Sequence, residues 1–215
     1  MHFFTKWSEK GKMEKILQYL QETYHPVGIL VYGSFAEGTE KEGSDFDAIL
    51  EAKVPQDLHD SICIEGTRLD VFVYTPASLA GFLDGKSFCR ADGGKILKDE
   101  SGAMQKILDA AAEYFSLLPL KTAAEKAQAV DWCEKMRQRT SRRDAEGFFR
   151  WHWVLTESLE IFCEINDSPY RGPKKALRYL QSTDPEGYAL YETALCQFRP
   201  EALRAWISHL RERIK

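Results

Sequence analysis

A glycine-serine pair followed by three spaced carboxylates constrains this chain more than any other feature: Gly33-Ser34, then Asp45-Phe46-Asp47, then Asp70 inside a second apolar run. Gathering like charges on adjacent strands is costly unless something cationic lies among them. A fold that accepts the pattern needs a short buried strand ending at Gly33 and neighbouring strands that carry the acids.

Two strand patterns supply it. Gly28-Ile29-Leu30-Val31-Tyr32 is apolar, rich in branched side chains and short enough for a buried strand. It stops at Gly33-Ser34, a tight turn whose freed backbone amides can cradle phosphate oxygens. In Ser44–Leu50 the two-residue period puts Asp45 and Asp47 on one face and Phe46 and Ala48 on the other, so one face is wet and the other is core. Arg68–Tyr74 repeats the logic, with Leu69, Val71 and Val73 on one face and Asp70 opposite them. Ser61–Ile64, joined through Glu65-Gly66-Thr67, reads as its hairpin partner.

Three aspartates without a histidine or cysteine cluster suit a hard, oxygen-loving cation such as magnesium better than zinc. A divalent metal carrying a nucleoside triphosphate fits both the acids and the turn. In two-metal phosphoryl transfer the ions lie roughly 3.5–4 Å apart, one on the attacking and one on the leaving oxygen.

The string Gly33-Ser34-Phe35-Ala36-Glu37-Gly38, then Ser44-Asp45-Phe46-Asp47, then Asp70 resembles the signature of the nucleotidyltransferase superfamily typified by DNA polymerase beta. Antibiotic and minimal nucleotidyltransferases are its nearest-looking branches, and the likeness covers residues 26–75. It implies an α+β fold, a mixed sheet with flanking helices followed by an all-α bundle. It also implies transfer of a nucleoside monophosphate, AMP in the first instance, from ATP or another NTP to a hydroxyl of a small-molecule acceptor. Asp45 and Asp47 would hold two Mg2+ ions, Asp70 would complete the metal site and prepare the acceptor, and Gly33 and Ser34 would grip phosphate. Glu37 departs from the pattern: relatives often carry a basic residue there, so that triphosphate contact is missing or supplied elsewhere. Two other readings stay open, a protein-adenylylating enzyme of the toxin-antitoxin type and a catalytically silent nucleotide-binding module.

Charge narrows the partners. Up to Leu118 the chain has 12 Lys and Arg against 19 Asp and Glu, net −7; from Pro119 it has 17 against 14, net +3, giving −4 overall. That balance lacks the basic footprint of a protein whose substrate is a long nucleic acid. The basic half could help to hold phosphates, and a homodimer is compatible with the reading. No apolar run reaches the ~18 residues needed to span a bilayer, and Met1–Lys12 is unlike a signal peptide. The five cysteines show neither pairing nor zinc spacing, so reduced, buried thiols in a cytoplasm are expected.

Organisation follows from periodicity. A helix is expected over Ser8–Tyr24, another from the capping sequence Thr75-Pro76-Ala77-Ser78 to Asp84, a strand over Lys95–Asp99 and a helix over Ala103–Leu117. The resemblance then implies a nucleotidyltransferase domain over residues 1–118 and a substrate-binding helical bundle over 119–215. Bundle helices are expected over 122–140, 145–165, 173–181, 185–198 and 200–214, with prolines near four of the starts. The aromatic stripe Phe148, Phe149, Trp151, Trp153, with Leu155, Leu159 and Phe162, reads as bundle core. Glu157 or Glu160 could act as general base for an acceptor hydroxyl, Lys174 at a helix start could contact nucleotide, and Arg139, Arg142 and Arg143 with Asp144 read as a solvated cap. Arg204 and His209 match the loose spacing of the HEPN ribonuclease toxins, a pattern that arises readily by chance.

Overall fold

The strand Gly28–Tyr32 (β1) is buried at every position, as its unbroken apolar composition requires of a strand covered on both faces. The computed structural model describes residues 3–81, 83–142 and 144–214. They divide into two units, Met1–Leu117 and Leu118–Lys215.

In the first unit, helix α1 (Phe3–Tyr24) precedes β1, and a short helix α2 (Gly33–Glu37) follows it directly. Strands β2 (Phe46–Glu51), β3 (Leu58–Asp60), β4 (Cys63–Ile64) and β5 (Thr67–Tyr74) come next. Two short helices, α3 (Pro76–Leu79) and α4 (Gly85–Phe88), and a 3-10 turn over Cys89–Ala91 lead to β6 (Lys95–Asp99) and helix α5 (Ala103–Ser116). The sheet runs β3-β5-β2-β1-β6, with β4 also paired to β5. Its pairings are antiparallel except for β2 with β5, which run parallel.

Both faces of this sheet carry a core. Ile29, Val31, Phe46, Ala48, Leu50, Leu69, Val71 and Val73 pack with Ile16 and Leu20 of α1. On the other face, Leu30, Tyr32 and Ile49 pack with Met104 and Ile107 of α5. The expected split into a wet face and a core face is therefore corrected: Asp47 shares its face with buried Ile49, and only the end of that face is polar.

Three local expectations are also corrected. Helix α2 begins at Gly33, where a simple turn was expected. Of Ser61–Ile64 only Cys63 and Ile64 form a strand, and the three-residue β3 adds a partner for β5 that the sequence does not announce. The helix expected from Pro76 to Asp84 ends at Leu79; Asp84 caps α4 instead, accepting from the Lys86 amide. Phe82, within that expected helix, lies outside the described residues.

The second unit holds helices α6 (Ala123–Arg139), α7 (Ala145–Ile165), α8 (Pro173–Thr183), α9 (Pro185–Gln197) and α10 (Pro200–Glu212). Thr122 and Glu125 form a capping box at the start of α6. Trp206 is fully buried at the centre and donates its indole N–H to the Ser158 hydroxyl at 2.9 Å. Trp151, Leu155, Leu159 and Phe162 are core as expected, whereas Phe148 (54% exposed), Phe149 (66%) and Trp153 (39%) are not. For Phe149 and Trp153 the reason is periodicity: 151, 155, 159 and 162 recur on one helix face, and 149 and 153 lie away from it. Among the described residues no helix is long and apolar enough to cross a membrane.

Candidate active site

Gly33 is the pivot of the polar end. Its φ of +65° is a left-handed conformation that glycine adopts without cost. A Cβ there would stand 2.4 Å from Oδ2 of Asp47, so the missing side chain is also what lets the carboxylate lie against the turn.

Strand register brings the acids together. Asp47 pairs with Tyr32 across the antiparallel β1–β2 ladder and with Asp70 across the parallel β2–β5 ladder. Residues in register on adjacent strands project to the same side, about 4.8 Å apart at the backbone. Asp47 and Asp70 are thus neighbours on one face, both half-buried. Tyr32 reports their field: burial first, then the negative charges of Asp47 and Asp70, push its hydroxyl pKa up, while Arg90 opposes them.

Asp70 has a partner that sequence reasoning missed. His59 Nε2 donates to Asp70 Oδ1 at 2.6 Å, and the imidazole stacks on Phe72 with ring centroids 4.4 Å apart. His59 comes from β3, directly opposite Phe72 in the ladder. The next residue fixes that strand: buried Asp60 accepts from the Tyr19 and Tyr24 hydroxyls of α1 and from the Ile62 amide. The only signal in the sequence was the polar run Asp57-Leu58-His59-Asp60, eleven residues before the acid it serves.

The remaining expected site residues fall elsewhere. Asp45 is exposed, one residue before β2, rather than on the strand with Asp47. Ser34 is buried in α2, and its carbonyl accepts from the Gly38 and Thr39 amides. Lys174 belongs to the second unit, exposed in the first turn of α8. Glu157 and Glu160 lie on α7, where partial burial and then the charges of Glu164 and Glu157 push the Glu160 pKa up. Arg142 pairs with Glu146 at 2.9 Å and Asp144 caps α7 through the Gly147 amide, in line with a solvated cap; Arg143 lies outside the described residues. His209 donates to buried Asp184 at 2.7 Å and is itself largely covered, which gives the Arg204–His209 pair a structural rather than ribonuclease setting. The expectation of buried thiols is met by Cys133 and Cys163 and corrected at Cys63 and Cys196, which are exposed.

Among the described residues no three His, Cys, Asp or Glu side chains form a metal cage by themselves. The Asp47–Asp70 pair still fits a magnesium ion. Its donors are hard carboxylate oxygens on one face, and magnesium is commonly held by one or two carboxylates, with substrate phosphates and waters completing the octahedron.

No curated protein matches the chain. Among solved structures, a nucleotidyltransferase-like protein from Exiguobacterium sibiricum 255-15 aligns over 96% of this chain and 74% of its own, with 12% identity and a TM-score of 0.41. Residues 13–107 match the family model described as a nucleotidyltransferase domain. That span includes Gly33, Asp47, Asp70 and every strand of the sheet, so it is this part of the chain that is similar to a nucleotidyltransferase domain.

Proposed function

We propose that the first unit transfers a nucleoside monophosphate from a nucleoside triphosphate, ATP in the first instance, to a hydroxyl of a small-molecule acceptor. The observation that carries this reading is the in-register pairing of Asp47 with Asp70 beside a glycine whose absent side chain leaves Asp47 room. Asp47 and Asp70 would hold magnesium, with Asp45 available from the exposed segment before β2. Bound metal supplies Lewis-acid stabilisation of charge on the phosphate oxygens.

The chain's own residues do the rest. The Gly33-Ser34 segment seats the phosphates, and Asp70, oriented by His59, faces the acceptor hydroxyl. The acceptor oxygen bonds to the α-phosphorus while the bond to the bridging oxygen breaks; pyrophosphate leaves with that electron pair, and the hydroxyl proton is lost beside Asp70. A net charge of −4, without the basic excess that a long nucleic acid calls for, supports a small acceptor over a polynucleotide.

The test combines α-labelled ATP, magnesium, a metabolite and antibiotic panel, and a cell lysate. Label on a small molecule, with pyrophosphate released, is the expected result; label on a protein band would instead support protein adenylylation. Asp47→Asn or Asp70→Asn should abolish transfer while leaving the circular dichroism unchanged, because removing one of two adjacent charges relieves repulsion in the metal-free protein. Undiminished turnover in either variant would refute the assignment.

A further inference from the structure

On the face that carries Asp47 and Asp70, the first unit contains a cavity of about 170 Å³. Tyr32, Phe72, Tyr74 and Phe88 line it, together with Ser87 and Arg90. The rings are buried or half-buried while Ser87 and Arg90 are exposed, so the cavity has an aromatic floor and a polar mouth. A closed cavity of about 150 Å³ accepts one benzene ring, so this volume suits a single substituted six-membered ring. Tyr74 and Phe88 meet edge to face with ring centroids 5.7 Å apart, and His59 already stacks on one face of Phe72.

Two further observations give the cavity a direction. Phe72 and Tyr74 continue the face of β5 that begins with Asp70, each two residues further on, so a ring resting on Phe72 is about 7 Å along the strand from the carboxylate. That gap is spanned by a short hydroxyalkyl arm. Arg90 forms no ion pair among the described residues, and its charge acts on Tyr32 inside the cavity. An exposed guanidinium at the mouth favours an anionic substituent and disfavours a polycation.

Resting on the transferase reading above, we propose that this cavity seats the acceptor, a small aryl alcohol carrying an anionic group, with its ring among Phe72, Tyr74 and Phe88, its anion on Arg90 and its hydroxyl toward Asp70. The alcohol oxygen becomes the new ligand of the α-phosphorus, its proton is released, and pyrophosphate departs. The proposal separates this chain from transferases that modify amine-rich acceptors, since the cavity's own charge is positive.

Binding can be read without chemistry. Titrations of the full chain, free of metal and nucleotide, would be followed by ligand-observed NMR using 4-(hydroxymethyl)benzoate, benzyl alcohol, 4-(hydroxymethyl)cyclohexanecarboxylate, kanamycin and adenosine. The benzoate should bind at least tenfold more tightly than its saturated counterpart. Arg90→Met should weaken the benzoate tenfold or more and leave benzyl alcohol within twofold, and Tyr74→Leu should weaken both. Equal binding of the ring and its saturated counterpart, no effect of Arg90→Met, or tighter binding of kanamycin would overturn the proposal. So would displacement of every probe by adenosine, which would assign the cavity to the nucleobase. Arg90 is exposed, so its variant keeps the test decisive if Tyr74→Leu fails to fold. Aryl binding without any nucleotidyl transfer would sink the transferase reading alone; transfer to another acceptor without aryl binding would sink this inference alone.

Discussion

A single methyl group at position 33 would meet both the backbone and the acid beside it. Gly33→Ala forces alanine into φ +65° and drives its Cβ to 2.4 Å from Asp47 Oδ2. The strain should cost about 1–3 kcal/mol. The larger effect is on position: a carboxylate displaced by about 1 Å commonly loses about 100-fold in rate, so transfer should fall at least that far while a thermal melt shows a folded protein. On the proposed reading His59, hydrogen-bonded to Asp70, is a positioning residue. His59→Leu should lower kcat by about 10–100-fold with little change in KM for the nucleotide, and His59→Gln, which can still donate a hydrogen bond, should recover part of the loss. That Gly33 follows a buried strand and that Asp47 and Asp70 lie on strands was legible in the sequence, because strand period and residue type are local. His59 was not, because its partner lies across a ladder whose three residues give no periodic signal.

Among the elements, the long ones announced themselves and the short ones did not. Helix α5 shows its buried face as Met104, Ile107 and Ala111 at helical spacing, and prolines open α8, α9 and α10. By contrast β3, α3 and α4 have three or four residues each, too few for a period to register. Asp184 ties two elements of the second unit together. It caps α9 through the Gly187 amide at 3.0 Å, accepts from His209 of α10 at 2.7 Å and lies 3.2 Å from Arg213. Burial works against its charge, yet the His209 hydrogen bond, the Gly187 amide and the charges of His209 and Arg213 hold its pKa below the ordinary 3.8. A carboxylate whose pKa is lowered by folding stabilises at pH above its unfolded value, and that contribution is lost as pH falls through the folded value. Asp184→Ala should therefore destabilise the second unit by about 3 kcal/mol at neutral pH, with the gap from wild type narrowing below pH 3.8. Tryptophan emission in urea reads it, since Trp132, Trp151, Trp153 and Trp206 all lie in that unit.

At the scale of the whole molecule, charge and ligand linkage matter most. The first unit carries net −7 and concentrates two carboxylates on one face of its sheet, and on the proposed reading a cation carrying phosphates would relieve that repulsion. Magnesium with ATP at 100 times its Kd should add about 2.7 kcal/mol of apparent stability. Chelation with EDTA, or Asp47→Asn, should remove that increment, and differential scanning calorimetry would show whether they do. The sequence by itself determined the kind of domain, the central strand, the strand positions of Asp47 and Asp70 and the succession of helices, because each rests on residue type and a period within one segment. Only the tertiary structure decided that Asp47 and Asp70 are in register while Asp45 stands outside the strand, that His59 holds Asp70, and that four aromatic rings from three segments line one cavity. Those facts depend on which strands pair and in what register, and no local pattern encodes a pairing between segments tens of residues apart.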